Sequence, residues 1–202
     1  MKRTRLAIIG CGGFVHSHVS AILDHVKNFK FVGLADTARS HAKRLAESHP
    51  IGPDAAIYTD YTKMLEEVSP EAVIVSTPHT LHFRHCHDAI SAGAHVMVEK
   101  PMVTNSLDAR KLLRHAKARK RVLQIAIQGT YTDTFSYARQ LITDGTMGDL
   151  QLVTGVMAQD WMKATARTWR QELSLSGGGQ LYDSSAHVLS AMMFLVDSPV
   201  KE

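Results

Sequence analysis

The sequence predicts an α/β protein with a parallel sheet covered by helices on both faces, followed by an incomplete α+β domain. Two observations support the first part. Runs rich in Val, Ile and Leu alternate with helix-like stretches through the first 128 residues, which is the order that parallel sheets with crossover helices require. A glycine-rich turn at 10–13 also follows the first apolar run directly, as in dinucleotide-binding β–α units.

Each predicted strand is short and apolar at consecutive positions, which is typical of strands buried on both faces. The stretches between them have helical spacing, and the last is expected to begin at a cap formed by Asn105 or Ser106. The predicted strands are 5–10, 30–36, 55–59, 72–78, 95–101 and 122–128, and the predicted helices are 14–26, 38–48, 61–68, 80–92 and 106–120.

The pattern changes after residue 128. A helix at 133–143 is predicted to end at Gly145, and a strand at 150–159 and an apolar helix at 180–196 follow. Because one strand cannot form a sheet, this part is interpreted as the truncated start of a second domain. The predicted domains are therefore a dinucleotide-binding domain at 1–128 and part of an α+β substrate and dimerisation domain at 129–202.

Composition excludes several functional classes. Of the 202 residues, 45% are hydrophobic and 21% charged, with a formal net charge of +4, which is ordinary for a globular protein. No apolar run approaches the roughly 20 residues of a membrane span, and the basic segment 108–121 has the spacing of a solvated helix face. Neither a membrane nor a nucleic acid is therefore expected as a partner. Two cysteines and an N-terminal segment that is interpreted as a strand favour the cytoplasm.

The glycine-rich turn predicts binding of NAD. Glycines at 10, 12 and 13 let backbone N–H groups approach a pyrophosphate, whose charge the start of the next helix favours. Asp36 lies 21 residues after Val15, close to the spacing of about 20 for the acid that binds ribose hydroxyls. A carboxylate there repels a 2′-phosphate, so NAD is preferred over NADP. The alternative is an ordinary strand–turn–helix with an incidental acid.

A set of motifs in a fixed order resembles the Gfo/Idh/MocA family, which is named after glucose–fructose oxidoreductase and inositol dehydrogenase. The resemblance implies a Rossmann fold at the N-terminus. It also implies transfer of a hydride between nicotinamide and a secondary hydroxyl group of a small-molecule sugar, cyclitol or polyol. The motifs are Gly10-Cys11-Gly12-Gly13 with His18, Thr77-Pro78 with His82, Glu99-Lys100-Pro101, TWR at 168–170 and GGGQLYDSSAH at 177–187.

The resemblance implies catalytic roles for Lys100, Asp183 and His187. The His187 imidazole, with an ordinary pKa of about 6.5, would take the hydroxyl proton, and Asp183, one helical turn earlier, would orient it. Lys100 would stabilise the developing alkoxide, and its bond to Pro101 is predicted to be cis. The residues assigned to the cofactor are Gly10, Gly12, Gly13, Phe14, Asp36, Ser76, Thr77, Pro78, His82, Glu99 and Lys100.

Three positions differ from the family pattern and bear on the substrate. Thr130 stands where an Arg or Lys is frequent, Ser190 where an Asp is frequent, and His79 where an Asn is frequent. The histidine-rich segment 79–88 lacks a second cluster at zinc spacing, so no metal is predicted. Cys86 has no nearby base–orienter pair, which argues against a nucleophile.

Two other functions remain open at this point. One is a non-catalytic dinucleotide sensor or scaffold protein with a shortened second domain. The other is a relative that uses tightly held NAD for redox-assisted elimination or glycoside cleavage. A homo-oligomer is expected, because the apolar helix at 180–196 would leave one face exposed.

Overall fold

The computed structural model describes residues 3–197, and the chain divides into two compact units, 1–125 and 126–202. Almost all of the sheet lies in the first unit. The strands are β1 Thr4–Ile9, β2 Phe29–Ala35, β3 Ala56–Tyr58, β4 Ala72–Val75, β5 His95–Glu99 and β6 Leu123–Ala126. The helices of this unit are α1 Val15–His25, α2 Arg39–Ser48, α3 Tyr61–Val68, α4 His82–Ser91 and α5 Ser106–Ala118.

The six strands form one sheet in the order β3-β2-β1-β4-β5-β6. The pairings of β1 with β2 and β4, of β2 with β3, and of β4 with β5 are all parallel. This is the strand order of a doubly wound dinucleotide-binding fold, in which the ligand crevice lies beyond the carboxyl ends of β1 and β4, where the strand order reverses. The predicted fold class is confirmed, and each of the six predicted strands is present.

Strand β1 shows why its sequence is apolar at four consecutive positions from Leu6 to Ile9. Leu6 and Ile8 pack into a buried cluster that includes residues of α1 and α2. Ala7 and Ile9 point to the opposite face, into a cluster formed with α3, α4 and α5. Since successive side chains of a strand alternate between faces, burial on both faces requires a continuous apolar run.

Two predicted helix boundaries are confirmed by local contacts. The Asn105 side chain accepts a hydrogen bond of 2.9 Å from the Asp108 N–H, and so caps α5. Helix α6 (Asp133–Thr143) has Asp144 as its C-cap residue, and Gly145 follows with a positive φ of 79°. A glycine at this position ends a helix at little conformational cost.

The second unit differs from the prediction in two places. Its further helices are α7 Trp161–Ala164, α8 Leu173–Ser176, α9 Gly179–Asp183 and α10 Ser185–Val196. The predicted helix at 180–196 is therefore two helices, which are separated at Ser184. The predicted strand at 150–159 is wrong: within residues 3–197 this segment pairs with no strand.

The segment 150–159 has no partner strand within residues 3–197. An apolar, β-branched segment becomes a strand only where a second strand supplies the hydrogen-bonding partners. Here Gly155 lies against α10 so closely that a Cβ atom would come within 2.4 Å of Val188 Cγ1.

Among the described residues, no helix is both long enough and apolar enough to cross a bilayer.

Candidate cofactor and catalytic residues

The glycine-rich turn lies at the carboxyl end of β1, next to the end of β4. Gly10 has a φ of +92°, and a Cβ atom there would lie 2.5 Å from the Ser76 carbonyl oxygen. Only glycine therefore permits this approach of β1 to β4. Gly12 and Gly13 have no atom within 4 Å of their own Cβ positions, so the outer side of the turn is open to a ligand.

Asp36 is held directly against this turn at the end of β2. Its Oδ2 accepts a hydrogen bond of 2.8 Å from the Cys11 N–H, and its Oδ1 accepts one of 2.9 Å from the Ala38 N–H. The His41 Nδ1 atom lies 3.3 Å from Oδ1. These partners fix the carboxylate, and its remaining lone pairs would accept hydroxyl donors. Its assignment to ribose stays a prediction.

Helix α1 presents its N-terminus at the same turn. It begins at Val15 after the capping residue Phe14, which makes no side-chain capping bond, and its first turn contains no acidic residue. Unpaired N–H groups and the helix dipole at such an end favour an anion. The Phe14 side chain is 44% exposed, and its ring meets the His18 ring edge-on at 5.6 Å.

Glu99 and Lys100 lie at the end of β5. Glu99 is buried, and its Oε1 lies 2.5 Å from His18 Nε2. Its Oε2 accepts a hydrogen bond of 3.2 Å from the Lys100 backbone N–H. The Lys100–Pro101 peptide bond is cis, as predicted. Both Glu99 oxygens thus have partners inside the first unit, and one of them holds the backbone at Lys100.

His82 is completely buried at the start of α4. Its Nδ1 lies 2.7 Å from the Pro101 carbonyl oxygen, and its Nε2 lies 2.8 Å from the Thr77 carbonyl oxygen. The pKa of His82 is lowered, because the effect of burial outweighs that of the two carbonyl contacts, which raise it. Both ring nitrogens therefore contact backbone carbonyl groups, one in the loop that contains Thr77 and one in the loop that contains Pro101.

In the second unit, Asp183 is buried and receives two donors on one oxygen. Its Oδ2 accepts hydrogen bonds from Trp161 Nε1 at 2.9 Å and from Arg170 Nε at 3.1 Å. The Arg170 guanidinium also lies over the Trp169 ring, 4.6 Å from its centroid. The sequence did not predict that Trp161 and Arg170 donate hydrogen bonds to Asp183, although Arg170 belongs to the TWR motif.

His187 lies on α10 and is half-buried, whereas Asp183 ends α9. The expectation that one continuous helix presents both residues is therefore wrong. His187 lines a cavity of about 360 Å³ whose other walls include Phe135, Val153 and Met157. The catalytic assignments of Asp183 and His187 stay predictions.

The glycine run before α9 has a local packing reason. A Cβ atom at Gly178 would lie 2.0 Å from the Tyr182 ring, so the Tyr182 ring packs where any larger residue would collide. The expected approach of these glycines to nicotinamide stays a prediction. Thr130, one of the positions that differs from the family pattern, is buried in a short 3₁₀ turn.

The histidine-rich segment is used for packing and hydrogen bonding. Thr77 Oγ1 lies 2.9 Å from His85 Nδ1, and the rings of His87 and His115 stack at 4.2 Å. Within residues 3–197, no group of three or more His, Cys, Asp or Glu side chains is arranged to hold a metal ion.

Comparison with known proteins gives two family matches. Residues 4–127 match the model described as "Oxidoreductase family, NAD-binding Rossmann fold". Residues 135–202 match the model described as "GFO/IDH/MocA C-terminal domain". The two matches together cover most of both compact units.

Individual relatives are similar over nearly the whole chain. D-glucoside 3-dehydrogenase of Escherichia coli (strain K12) is 28% identical over 197 residues, which are 96% of this chain and 54% of that protein. Inositol 2-dehydrogenase of Gluconacetobacter diazotrophicus is 24% identical, over 95% of this chain and 54% of that protein. The chain thus spans about half the length of these curated relatives.

A solved structure agrees with these matches. The crystal structure of an NAD binding oxidoreductase from Klebsiella pneumoniae superimposes with a TM-score of 0.79 at 28% sequence identity. The match covers 96% of this chain and 53% of the solved one.

Both cysteines are expected to resist alkylation in the folded protein. Burial, followed by the Asp36 charge, raises the pKa of Cys11 to about 12, and burial also raises the pKa of Cys86. The thiolate, which is the nucleophile, is therefore scarce up to about pH 9. Intact mass spectrometry after iodoacetamide treatment should show no adduct on the folded chain and two in urea. Rapid labelling of Cys11 in the folded chain would contradict this.

Arg170→Gln is expected to lower the free energy of unfolding by about 2 kcal/mol, because it removes a charged donor from the buried Asp183 carboxylate. Urea denaturation of Arg170→Gln, Asp183→Asn and the double variant measures the coupling. The double variant should lose less stability than the sum of the single losses. Additive losses would show that the two side chains do not stabilise each other.

Proposed function

This chain belongs to the Gfo/Idh/MocA oxidoreductase family, and on that basis we propose that it is an NAD-dependent dehydrogenase. Its substrate would be a secondary hydroxyl group of a sugar, cyclitol or related polyol. The observation that carries the proposal is the anchored Asp36 carboxylate beside the open glycine turn. The names of a glucoside dehydrogenase and an inositol dehydrogenase among the relatives support the substrate class.

The residues at the turn fit a dinucleotide. The open positions at Gly12 and Gly13 leave room for a pyrophosphate beside the backbone. The α1 N-terminus presents backbone N–H groups without an opposing acid in the first turn. Asp36 would accept hydrogen bonds from ribose hydroxyls and would repel a 2′-phosphate, which favours NAD over NADP.

The proposed chemistry assigns one task to each catalytic residue. Bound nicotinamide supplies a hydride acceptor for the alcohol carbon. The His187 imidazole takes the proton from the substrate hydroxyl group, and Asp183 orients that imidazole and stabilises its charged form. The Lys100 ammonium group would stabilise negative charge that develops on a reacting oxygen. In the reverse direction, His187 returns the proton to the carbonyl oxygen.

We also propose that residues 1–128 form the cofactor domain and that residues 129–202 begin the substrate domain. The division into two compact units and the two family matches support this organisation. Cytoplasmic location and assembly as a homo-oligomer remain predictions from the sequence.

Asp36→Asn should shift cofactor preference toward NADPH. The amide retains the shape of the side chain and one acceptor oxygen, but it removes the charge that repels a 2′-phosphate. Fluorescence titration should show that the ratio of the NADPH Kd to the NADH Kd falls at least about tenfold. Asp54→Asn is a matched control, because this carboxylate is 71% exposed and pairs with Lys30. An unchanged ratio would refute the role of Asp36.

Lys100→Ala and His187→Ala are each expected to lower kcat/KM on an accepted polyol by about 100-fold or more, since each removes a group that acts on the reacting oxygen. Lys63→Ala is the control, because the Lys63 side chain is 65% exposed and forms an ion pair with Glu67 on the same helix, α3. Unchanged turnover in both variants would remove the mechanism. NADH binding without turnover by the unsubstituted chain on a broad polyol panel would favour the sensor alternative.

A further inference from the structure

The loops that follow β4 and β5 occupy the half of the sheet that binds the second mononucleotide in doubly wound folds. The first loop contains residues 76–78, and the second contains Lys100 and Pro101. The hydrogen-bonded register of β4 with β5 ends at the pair Val75 and Val98. Beyond that pair the sheet itself no longer sets the distance between the two loops.

The His82 ring continues the connection where the sheet stops. Its Nδ1 contacts the carbonyl oxygen of Pro101 at 2.7 Å, and its Nε2 contacts that of Thr77 at 2.8 Å. One rigid, fully buried ring therefore bridges the two loops. Carbonyl oxygens only accept, and burial lowers the pKa of His82, so the neutral ring donates a hydrogen bond to one carbonyl group while its other nitrogen lies against the second.

A second histidine of α4 holds the same loop. The Thr77 hydroxyl group lies 2.9 Å from His85 Nδ1, and burial lowers the pKa of His85 to about 4. His85 is therefore neutral near pH 7, and its Nδ1 either accepts a hydrogen bond from the Thr77 hydroxyl group or donates one to it, according to the tautomer. The Tyr61 ring packs edge-on against His85 at 4.5 Å, and its hydroxyl group donates to Asp88 at 2.7 Å. Thr77 is thus held through its main chain by His82 and through its side chain by His85.

We propose that His82 is a positioning residue for the nicotinamide half of the cofactor. Because its buried ring lies between the Thr77 and Pro101 carbonyl groups, it sets the spacing of the two loops that receive this half, and it sets the point from which the Lys100 side chain extends. The inference rests on the proposed function, because it assumes that a dinucleotide binds across both halves of the sheet. It gives the histidine-rich segment a role other than metal binding.

The test compares the affinity for NADH with the affinity for ADP-ribose, which contains the adenosine half of the cofactor but no nicotinamide. His82→Gln removes the ring but retains an amide donor, and ADP-ribose lacks the nicotinamide ring. We expect the Kd for NADH to rise about tenfold in this variant, and the Kd for ADP-ribose to change less than twofold. His87→Gln is the matched control, because it makes the same substitution on the same helix at a side chain that is 43% exposed.

Other outcomes decide against one proposal or the other. Equal weakening of NADH and ADP-ribose would assign His82 a purely structural role, and unchanged affinities would show that the bridge has no effect, so either result overturns the inference. If the unsubstituted chain binds neither ligand, the proposed function itself fails, and this inference fails with it.

A second variant and a second measurement cover loss of folding. His82→Asn retains a donor near the position of Nδ1 and should give the same selective loss of NADH affinity. If neither variant folds, the ring-proton NMR resonances of His82 in the unsubstituted chain are followed instead. They should shift on addition of NADH and not on addition of ADP-ribose, and the absence of that difference would overturn the inference.

Discussion

The close approach of Gly10 to Ser76 is the constraint on which the candidate cofactor site depends. Because a Cβ atom at Gly10 would lie 2.5 Å from the Ser76 carbonyl oxygen, a larger residue would push the end of β1 away from β4. The Gly10 N–H also donates to the Ala35 carbonyl oxygen at 2.8 Å. One glycine thus joins the ends of three neighbouring strands at the point where the sheet order reverses.

Three polar side chains around this point share one feature: each contacts backbone atoms at the ends of the strands or in the loops that follow them. Asp36 accepts from the Cys11 N–H, Glu99 accepts from the Lys100 N–H, and His82 contacts two carbonyl groups. A buried polar atom without a partner costs free energy, so such pairings favour one arrangement of the loops. The site is therefore organised before any ligand binds, which reduces the entropy lost on binding.

In the second unit, a buried polar group is likewise paired, but its partners are side-chain donors. Asp183 receives Trp161 and Arg170 on one oxygen, and these donors come from segments that are distant from it along the chain. The family motif pointed to Asp183 but not to the side chains that contact it. Local patterns also failed at 150–159. This segment has the composition of a strand, but no partner strand that could form a ladder with it is found within residues 3–197.

The sequence by itself determined the elements of the first unit, the cap of α5 to within Asn105 or Ser106, and the glycine turn, because each depends on residues that are near one another in the chain. The family could be identified for the same reason, since its motifs are short and ordered. Only the tertiary structure decided that His82 bridges Thr77 and Pro101, and that α9 and α10 separate at Ser184. Hydrogen-bond partners across loops depend on how whole elements pack, and no local pattern encodes that distance.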